Sequence, residues 1–180
     1  MEGLWLGSWA RFILGTRLGP YVPTPQHVVR RMLSLAAVAP ADCVHDVGCG
    51  DGRMLLAAAQ EHGARGVGYE LDARLAAAAA HAVAAAGLQS RIDVRRADAR
   101  DACFEGADVI MMYLSETGNA TMLPRLRVAA AARAARGVPP ARCVTFTFPI
   151  AGVVPTATAK VDGVDLFLYT IRPAEDKPAK

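Results

Sequence analysis

Val44-His45-Asp46-Val47-Gly48-Cys49-Gly50-Asp51-Gly52-Arg53 is the stretch whose reading decides the fold. Val44 to Val47 is short and apolar enough for a buried strand, the glycines make a tight turn, and Arg53 opens a helical run that stops at Gly63. About 20 residues past the turn, a second apolar run, Gly66-Val67-Gly68-Tyr69, ends on Glu70. Strand, glycine turn, helix, strand and terminal acid are the plan of a βαβ unit that holds a ribose. The turn narrows the ligand. A dinucleotide turn is spaced G-x-G-x-x-G and seats a pyrophosphate on the helix N-terminus. Here the spacing is G-x-G-x-G, with Asp51 inside the turn and Asp46 before it. Those carboxylates repel a pyrophosphate and suit a cation. The competing account is purely structural: glycines that relieve backbone strain and an Asp51 that caps the helix.

Working outward, Thr24-Pro25 reads as an N-cap with proline at the first helical position. That helix runs through Val28, Val29, Met32, Leu33 and Leu35 to about Val38 and is stopped by Pro40. Cys43 to Val47 is the first strand. Asp72 caps an alanine-rich helix ending at Gly87, and Ile92 to Arg95 is a short third strand. Asp98 follows directly, at the strand end where open α/β sheets bind ligands. Ala107 to Tyr113 is nearly all apolar, hence a strand buried on both faces. Thr117 to Arg136 is mostly helix, terminated by Gly137-Val138-Pro139-Pro140, and Arg142 to Phe148 is the fifth strand. Pro149 to Pro155 leaves no room for another helix before a hairpin, Thr156 to Val161 and Val164 to Ile171, turned by Asp162-Gly163 in type I′ form.

Composition bounds the rest. The 180 residues suit one domain, and 53% hydrophobic residues argue for a packed core. A net charge of +3 with no Lys/Arg-rich block gives no case for nucleic acid; Arg125, Arg127, Arg133 and Arg136 read as one solvated helical face. Cys43, Cys49, Cys103 and Cys143, and His27, His45, His62 and His81, lack metal-ligand spacing, so no metal is expected. Cys43 and Cys143 in apolar strands indicate a reducing, intracellular setting. At the N-terminus, Trp5, Trp9, Phe12 and Ile13 fall on one helical face, with Arg11 and Arg17 nearby. The run is too short to span a bilayer. A helix at a membrane surface and a helix packed on the catalytic domain both fit. The expected organisation is therefore an amphipathic segment over residues 1–20, a catalytic domain over 21–172 and a flexible tail over 173–180.

The Asp46 to Arg53 turn with Glu70 resembles motif I of the class I S-adenosylmethionine-dependent methyltransferases. S-Adenosylmethionine carries a sulfonium and an ammonium, and so satisfies the electrostatics where NAD does not. The resemblance implies an α/β, Rossmann-like fold in compact form, mainly parallel, with a C-terminal antiparallel hairpin and strand order 3-2-1-4-5-7-6. A narrower resemblance rests on Tyr21-Val22-Pro23-Thr24-Pro25, Val28-Val29, Met32-Leu33, Gly68-Tyr69-Glu70-Leu71 and Phe148-Pro149. Together they look like the small protein-lysine methyltransferases of the ATP synthase c subunit and adenine nucleotide translocase. Family members carry an aromatic residue after Phe-Pro; Ala151-Gly152-Val153 has none.

That resemblance implies roles. Asp46 and the backbone of Gly48 and Gly50 hold the methionine end of the cofactor, with Asp51 in the same turn. Glu70 takes both ribose hydroxyls, Asp98 the adenine amine, and Thr24 reaches the carboxylate unless it only caps its helix. Tyr21, Tyr113 and Phe148 are the acceptor-channel candidates. Glu116 is a base candidate that reads equally as a solvated helix-start acid. The resemblance implies that the acceptor is a lysine of a small membrane protein met through residues 1–20, with no nucleic acid, in mitochondria of a eukaryote or otherwise in the cytoplasm at the membrane surface. No Asn/Asp-Pro-Pro-Tyr motif follows the fourth strand, which argues against methylation of base amino groups. A small-molecule methyltransferase of the same fold and a non-catalytic cofactor-binding protein are the alternatives.

Overall fold

The structure, a computed structural model, describes residues 18–174. The expected amphipathic run at 1–20 and the tail at 173–180 lie almost wholly outside the described residues. The elements are α1 (Gln26–Leu35), β1 (Cys43–Val47), α2 (Arg53–His62), β2 (Arg65–Glu70), α3 (Ala73–Ala85), β3 (Ile92–Arg96), a 3-10 turn (Ala99–Asp101), β4 (Val109–Met112), α4 (Glu116–Ala135), β5 (Arg142–Phe146), β6 (Ala157–Val161) and β7 (Val164–Thr170). They build a seven-stranded sheet in the order β3-β2-β1-β4-β5-β7-β6. β1 to β5 pair in parallel, and β7 returns antiparallel to β5 and to β6. This is the expected mainly parallel fold with its terminal hairpin. Asp162 (φ 50°) and Gly163 (φ 78°) both lie in the left-handed region, as a type I′ turn requires.

The two faces of the sheet are covered unequally. On one, Val28, Val29, Met32 and Leu33 of α1 and Leu55 and Ala58 of α2 pack on Val44, Val109, Met111, Val144 and Leu166. On the other, Met122, Leu126, Ala129 and Ala130 of α4 pack on Ile110, Met112, Cys143 and Tyr169. Between β5 and β6 a loop stands where a helix would lie. Ile150 plugs that face, 1% exposed, and its N–H donates to the buried Tyr169 hydroxyl at 2.9 Å. Close packing also joins the turn to the sheet. A Cβ on Gly68 would sit 2.7 Å from both Cys49 Sγ and Leu55 Cδ1, so β2 passes under the turn only without a side chain there.

Several local expectations change. α1 is not capped by the Thr24 side chain. Its N-cap is Pro25, in extended conformation, whose carbonyl accepts from the N–H groups of Val28 and Val29. The helix ends at Leu35 rather than near Val38. Ala37 turns left-handed at φ 49°, and the N–H groups of Ala37 and Val38 close back on the carbonyls of Ser34 and Leu33. Arg142 then donates to the carbonyls of Ala36 and Ala37 at 2.6 and 2.9 Å and to Asp42 at 2.6 Å, a cation at a helix C-terminus. β5 stops at Phe146, because Thr147 is also left-handed (φ 71°) and turns the chain away. Arg133 is not part of a solvated face. It is 4% exposed and donates to Pro139 O, Glu105 O and Asp108, the last at 3.0 Å. Among the described residues no helix is long and apolar enough to cross a membrane.

Candidate active site

The C-terminal ends of β1, β2 and β4 open into a cleft of about 950 Å³, counting its solvent-facing mouth. Its walls are the segment from Leu18 to Thr24, the turn from Gly48 to Asp51, Tyr69 to Leu71, Asp98 to Arg100, and Met111 to Leu114. Six of the seven expected cofactor residues that carry a side chain or turn here, Thr24, Asp46, Gly48, Gly50, Asp51 and Glu70, meet around this one space, and Asp98 closes its far side. Of the acceptor-channel candidates, Tyr21 and Tyr113 line the cleft. Phe148 does not. It is 39% exposed beyond the Thr147 turn, its carbonyl held by Asn119 Nδ2 at 2.9 Å and Thr145 Oγ1 at 2.8 Å. Glu116 is exposed at the start of α4 and is not in the lining.

The turn is built by the strands. The N–H groups of Gly48 and Cys49 both donate to Tyr69 O, at 2.9 and 3.0 Å, which ties the end of β1 to the end of β2. Gly50 has φ 57°, and a Cβ there would fall 2.7 Å from the Tyr21 ring, so the turn lies flat beneath that ring only as glycine. Glu70 is 6% exposed. One carboxylate oxygen accepts from Gly50 N at 3.0 Å and the other from Asp72 N at 2.8 Å. Each oxygen keeps a second lone pair for a ligand.

Asp46 is 7% exposed and lines the cleft, and among the described residues no hydrogen bond or ion pair reaches its carboxylate. Burial first, and then the charges of Glu70 and Asp51, push its pKa up to about 7. An unpartnered carboxylate in a cleft is a strong attractor for a cationic group or a hydrogen-bond donor. Asp51 differs from the expectation of a free negative charge. Burial works to raise its pKa, but the Arg53 guanidinium beside it, through hydrogen bonds and charge, carries it below the ordinary value. Asp98 is both cap and wall. It accepts from Arg100 N at 2.9 Å at the head of the 3-10 turn, and the Arg100 guanidinium holds its pKa down. The carboxyl groups that face the cleft without a guanidinium partner are thus Asp46 and Glu70.

Two features were not read from the sequence. The segment from Leu18 to Thr24 forms a strap over the turn, pinned at each end by its main chain. Leu18 O accepts from Ser115 N at 3.2 Å and Ser115 Oγ at 2.8 Å, and Thr24 O accepts from Arg53 Nη1 at 2.8 Å. Gly118, in the first turn of α4, makes room for it: a Cβ there would sit 2.1 Å from Leu18 O. A glycine early in a helix was the available signal, since it costs helix stability without a turn to form. The second feature is His45, on the opposite side of β1 from Asp46. It packs against Tyr69 and Phe104, and burial, then Arg95, hold its pKa down to about 4.

The ANTKMT methyltransferase domain matches residues 46–157. A protein-lysine N-methyltransferase of Saccharolobus islandicus (strain REY15A) is 34% identical over 158 residues, 84% of this chain and 93% of that protein. The chain belongs to the ANTKMT methyltransferase domain family. A solved structure described as an RNA methyltransferase from Salinibacter ruber in complex with S-adenosyl-L-homocysteine is also 34% identical, with a TM-score of 0.78 over 88% of this chain and 98% of that one. At 19% identity, an S-adenosylmethionine-dependent methyltransferase from Thiobacillus denitrificans superposes with a TM-score of 0.55 over 72% of this chain and 50% of its own, which speaks for the fold alone. The protein is an S-adenosylmethionine-dependent methyltransferase of the Rossmann-like class, and S-adenosylmethionine is its cofactor. The cleft fits that cofactor: a bare carboxylate for a cation, a buried two-acceptor carboxylate for a diol, and a glycine cradle that a Cβ would fill.

Proposed function

We propose that the methyl acceptor is the ε-amine of a lysine in a protein. The observation that carries this reading is the 34% identity to a protein-lysine N-methyltransferase over 93% of that relative's length. The cofactor supplies, when bound, a methyl group activated by its sulfonium. In this reading Asp46 attracts the positively charged methionine end, the main chain of Gly48 and Gly50 lies against it, and Glu70 accepts from the ribose hydroxyls. Asp51 fixes the turn, Asp98 faces the adenine, and Thr24 stands at the carboxylate end. Orientation is then most of what the protein contributes.

A lysine must also lose its proton, which at pH 7 costs roughly 4–5 kcal/mol from an ordinary pKa of about 10.4. Tyr21, Tyr113, Met111, Met112 and Leu114 give the cleft an apolar wall that disfavours the charged amine. The test is to incubate the protein with radiolabelled S-adenosylmethionine and a membrane-protein extract. A labelled band that survives RNase supports the reading; no labelled protein under conditions where the cofactor binds overturns it. The Salinibacter ruber relative motivates RNA as a second reading, and label retained in RNA and lost on RNase treatment selects it.

The finer reading follows the narrower resemblance. The acceptor is a small membrane protein inside the cell, and residues 1–20 hold the enzyme at the membrane surface. Flotation of the full chain with anionic vesicles, abolished by Trp5→Ala with Trp9→Ala, is the expected result. Equal flotation of the variant refutes that contact.

A further inference from the structure

Arg53 occupies a position that helix energetics do not favour. It is the first residue of α2, where the positive end of the helix dipole opposes a cation. Local rules broken in this way concentrate at functional positions. The guanidinium faces three ways. Nε and Nη2 take both oxygens of Asp51, at 2.9 and 2.5 Å, while Nη1 donates to Thr24 O at 2.8 Å. Tyr21, the middle of the strap, lies against the same Asp51 and Arg53. Every one of these residues lines the cleft.

We propose that Arg53 is a positioning residue that locks the Leu18–Thr24 strap onto the glycine turn and thereby holds the bound cofactor in place. This rests on the reading that the cofactor occupies this cleft. The geometry makes the role specific to arginine. A planar fork spans a carboxylate on one side and a main-chain carbonyl on the other, whereas a lysine ammonium is one point on a flexible stem. Pro20 and Pro23 stiffen the strap, so fixing Thr24 at one end and Leu18 at the other fixes Tyr21 between them. A strap bound only at Leu18 leaves the Tyr21 side of the cleft open to water.

The test compares wild type, Arg53→Ala, Arg53→Lys and the double variant Asp51→Asn with Arg53→Ala. S-Adenosyl-L-homocysteine binding is measured by calorimetry. Hydrogen exchange of the strap amides of Tyr21, Val22 and Thr24 is followed with and without that ligand. The expected result is a dissociation constant raised tenfold or more in all three variants, with loss of the ligand-induced protection of the strap and a cooperative unliganded unfolding transition. Recovery of affinity in the double variant overturns the proposal, because Arg53 then only neutralises Asp51. Affinity within twofold of wild type in Arg53→Ala overturns it as well, while binding by wild type leaves the cofactor site itself standing. Should Arg53→Ala unfold, Arg53→Lys decides: wild-type affinity and strap protection in that variant refute a need for the fork. No binding by wild type overturns both this inference and the site reading.

Discussion

Replacing Asp46 by Asn separates what this carboxylate does for the fold from what it does for the ligand. In the folded protein its pKa stands at about 7, against 3.8 for the ordinary group. The folded state therefore holds a proton that the unfolded state has released, over the window from about pH 4 to 7. Stability falls as pH rises through that window, and the loss is complete above the folded value. About three units at 1.36 kcal/mol each set an upper figure of roughly 4 kcal/mol; some water entry reduces it, so a loss on the order of 2–4 kcal/mol is expected. Urea unfolding of wild type and Asp46→Asn at pH 5 and pH 8 measures it, with other groups cancelling in the difference. Because the unfolded carboxyl has already ionised by pH 5, that interval spans about two of the three units, so wild type should lose roughly 1.5–2.5 kcal/mol relative to the variant. Calorimetry gives the other half. The ligand's ammonium favours the ionised carboxylate, so binding of S-adenosyl-L-homocysteine should release most of a proton at pH 6 and little at pH 8, and no such proton in Asp46→Asn. Parallel stability profiles, together with a binding enthalpy independent of buffer at pH 6, would refute the account of Asp46 as a charge kept bare for the ligand.

The other outcomes concern packing. Gly118→Ala should destabilise the protein and speed exchange of the strap amides, although an alanine in a helix is ordinarily worth about 1 kcal/mol over glycine; a raised melting temperature contradicts the contact with Leu18 O. Ala37→Gly should stabilise by about 0.5–1 kcal/mol in urea unfolding, since φ is 49° there and glycine adopts it freely. Arg133→Met should cost about 2–3 kcal/mol, because two carbonyls lose a buried donor and the half-buried Asp108 loses its counter-ion. Its cofactor affinity per folded molecule should stay unchanged, and a weakened affinity would show that α4 reaches the cleft. Phe148→Ala should leave cofactor affinity within twofold by calorimetry, given a ring outside the cleft.

The turn and its acid were legible because each is a local rule. Gly50 must have a positive φ, the strand before it must be apolar, and Glu70 must end the next strand. Asp162-Gly163 announces its turn for the same reason. What escaped depends on partners far along the chain. Thr24 looked like a cap, but its carbonyl is claimed by Arg53, and the cap falls to Pro25. Arg133 looked solvated because nothing within α4 says that Asp108 and the carbonyls of Glu105 and Pro139 converge on it. Phe148 follows a left-handed Thr147, and threonine gives no warning of that conformation. Asp51 is the exception, a local pairing: its counter-ion Arg53 stands only two positions away and neutralises the charge that the turn alone suggests.

Gly68 and Cys49 leave each other no slack, since a methyl on the first would overlap the sulfur of the second and the end of Leu55. Evolutionary drift at these sites must then be concerted. A lineage that gains alanine at position 68 has first to trim position 49 or 55, and intermediates that change position 68 alone are expected to be lost to selection. In a collection of descendants the three columns should covary as a block, a historical record of one ångström-scale constraint.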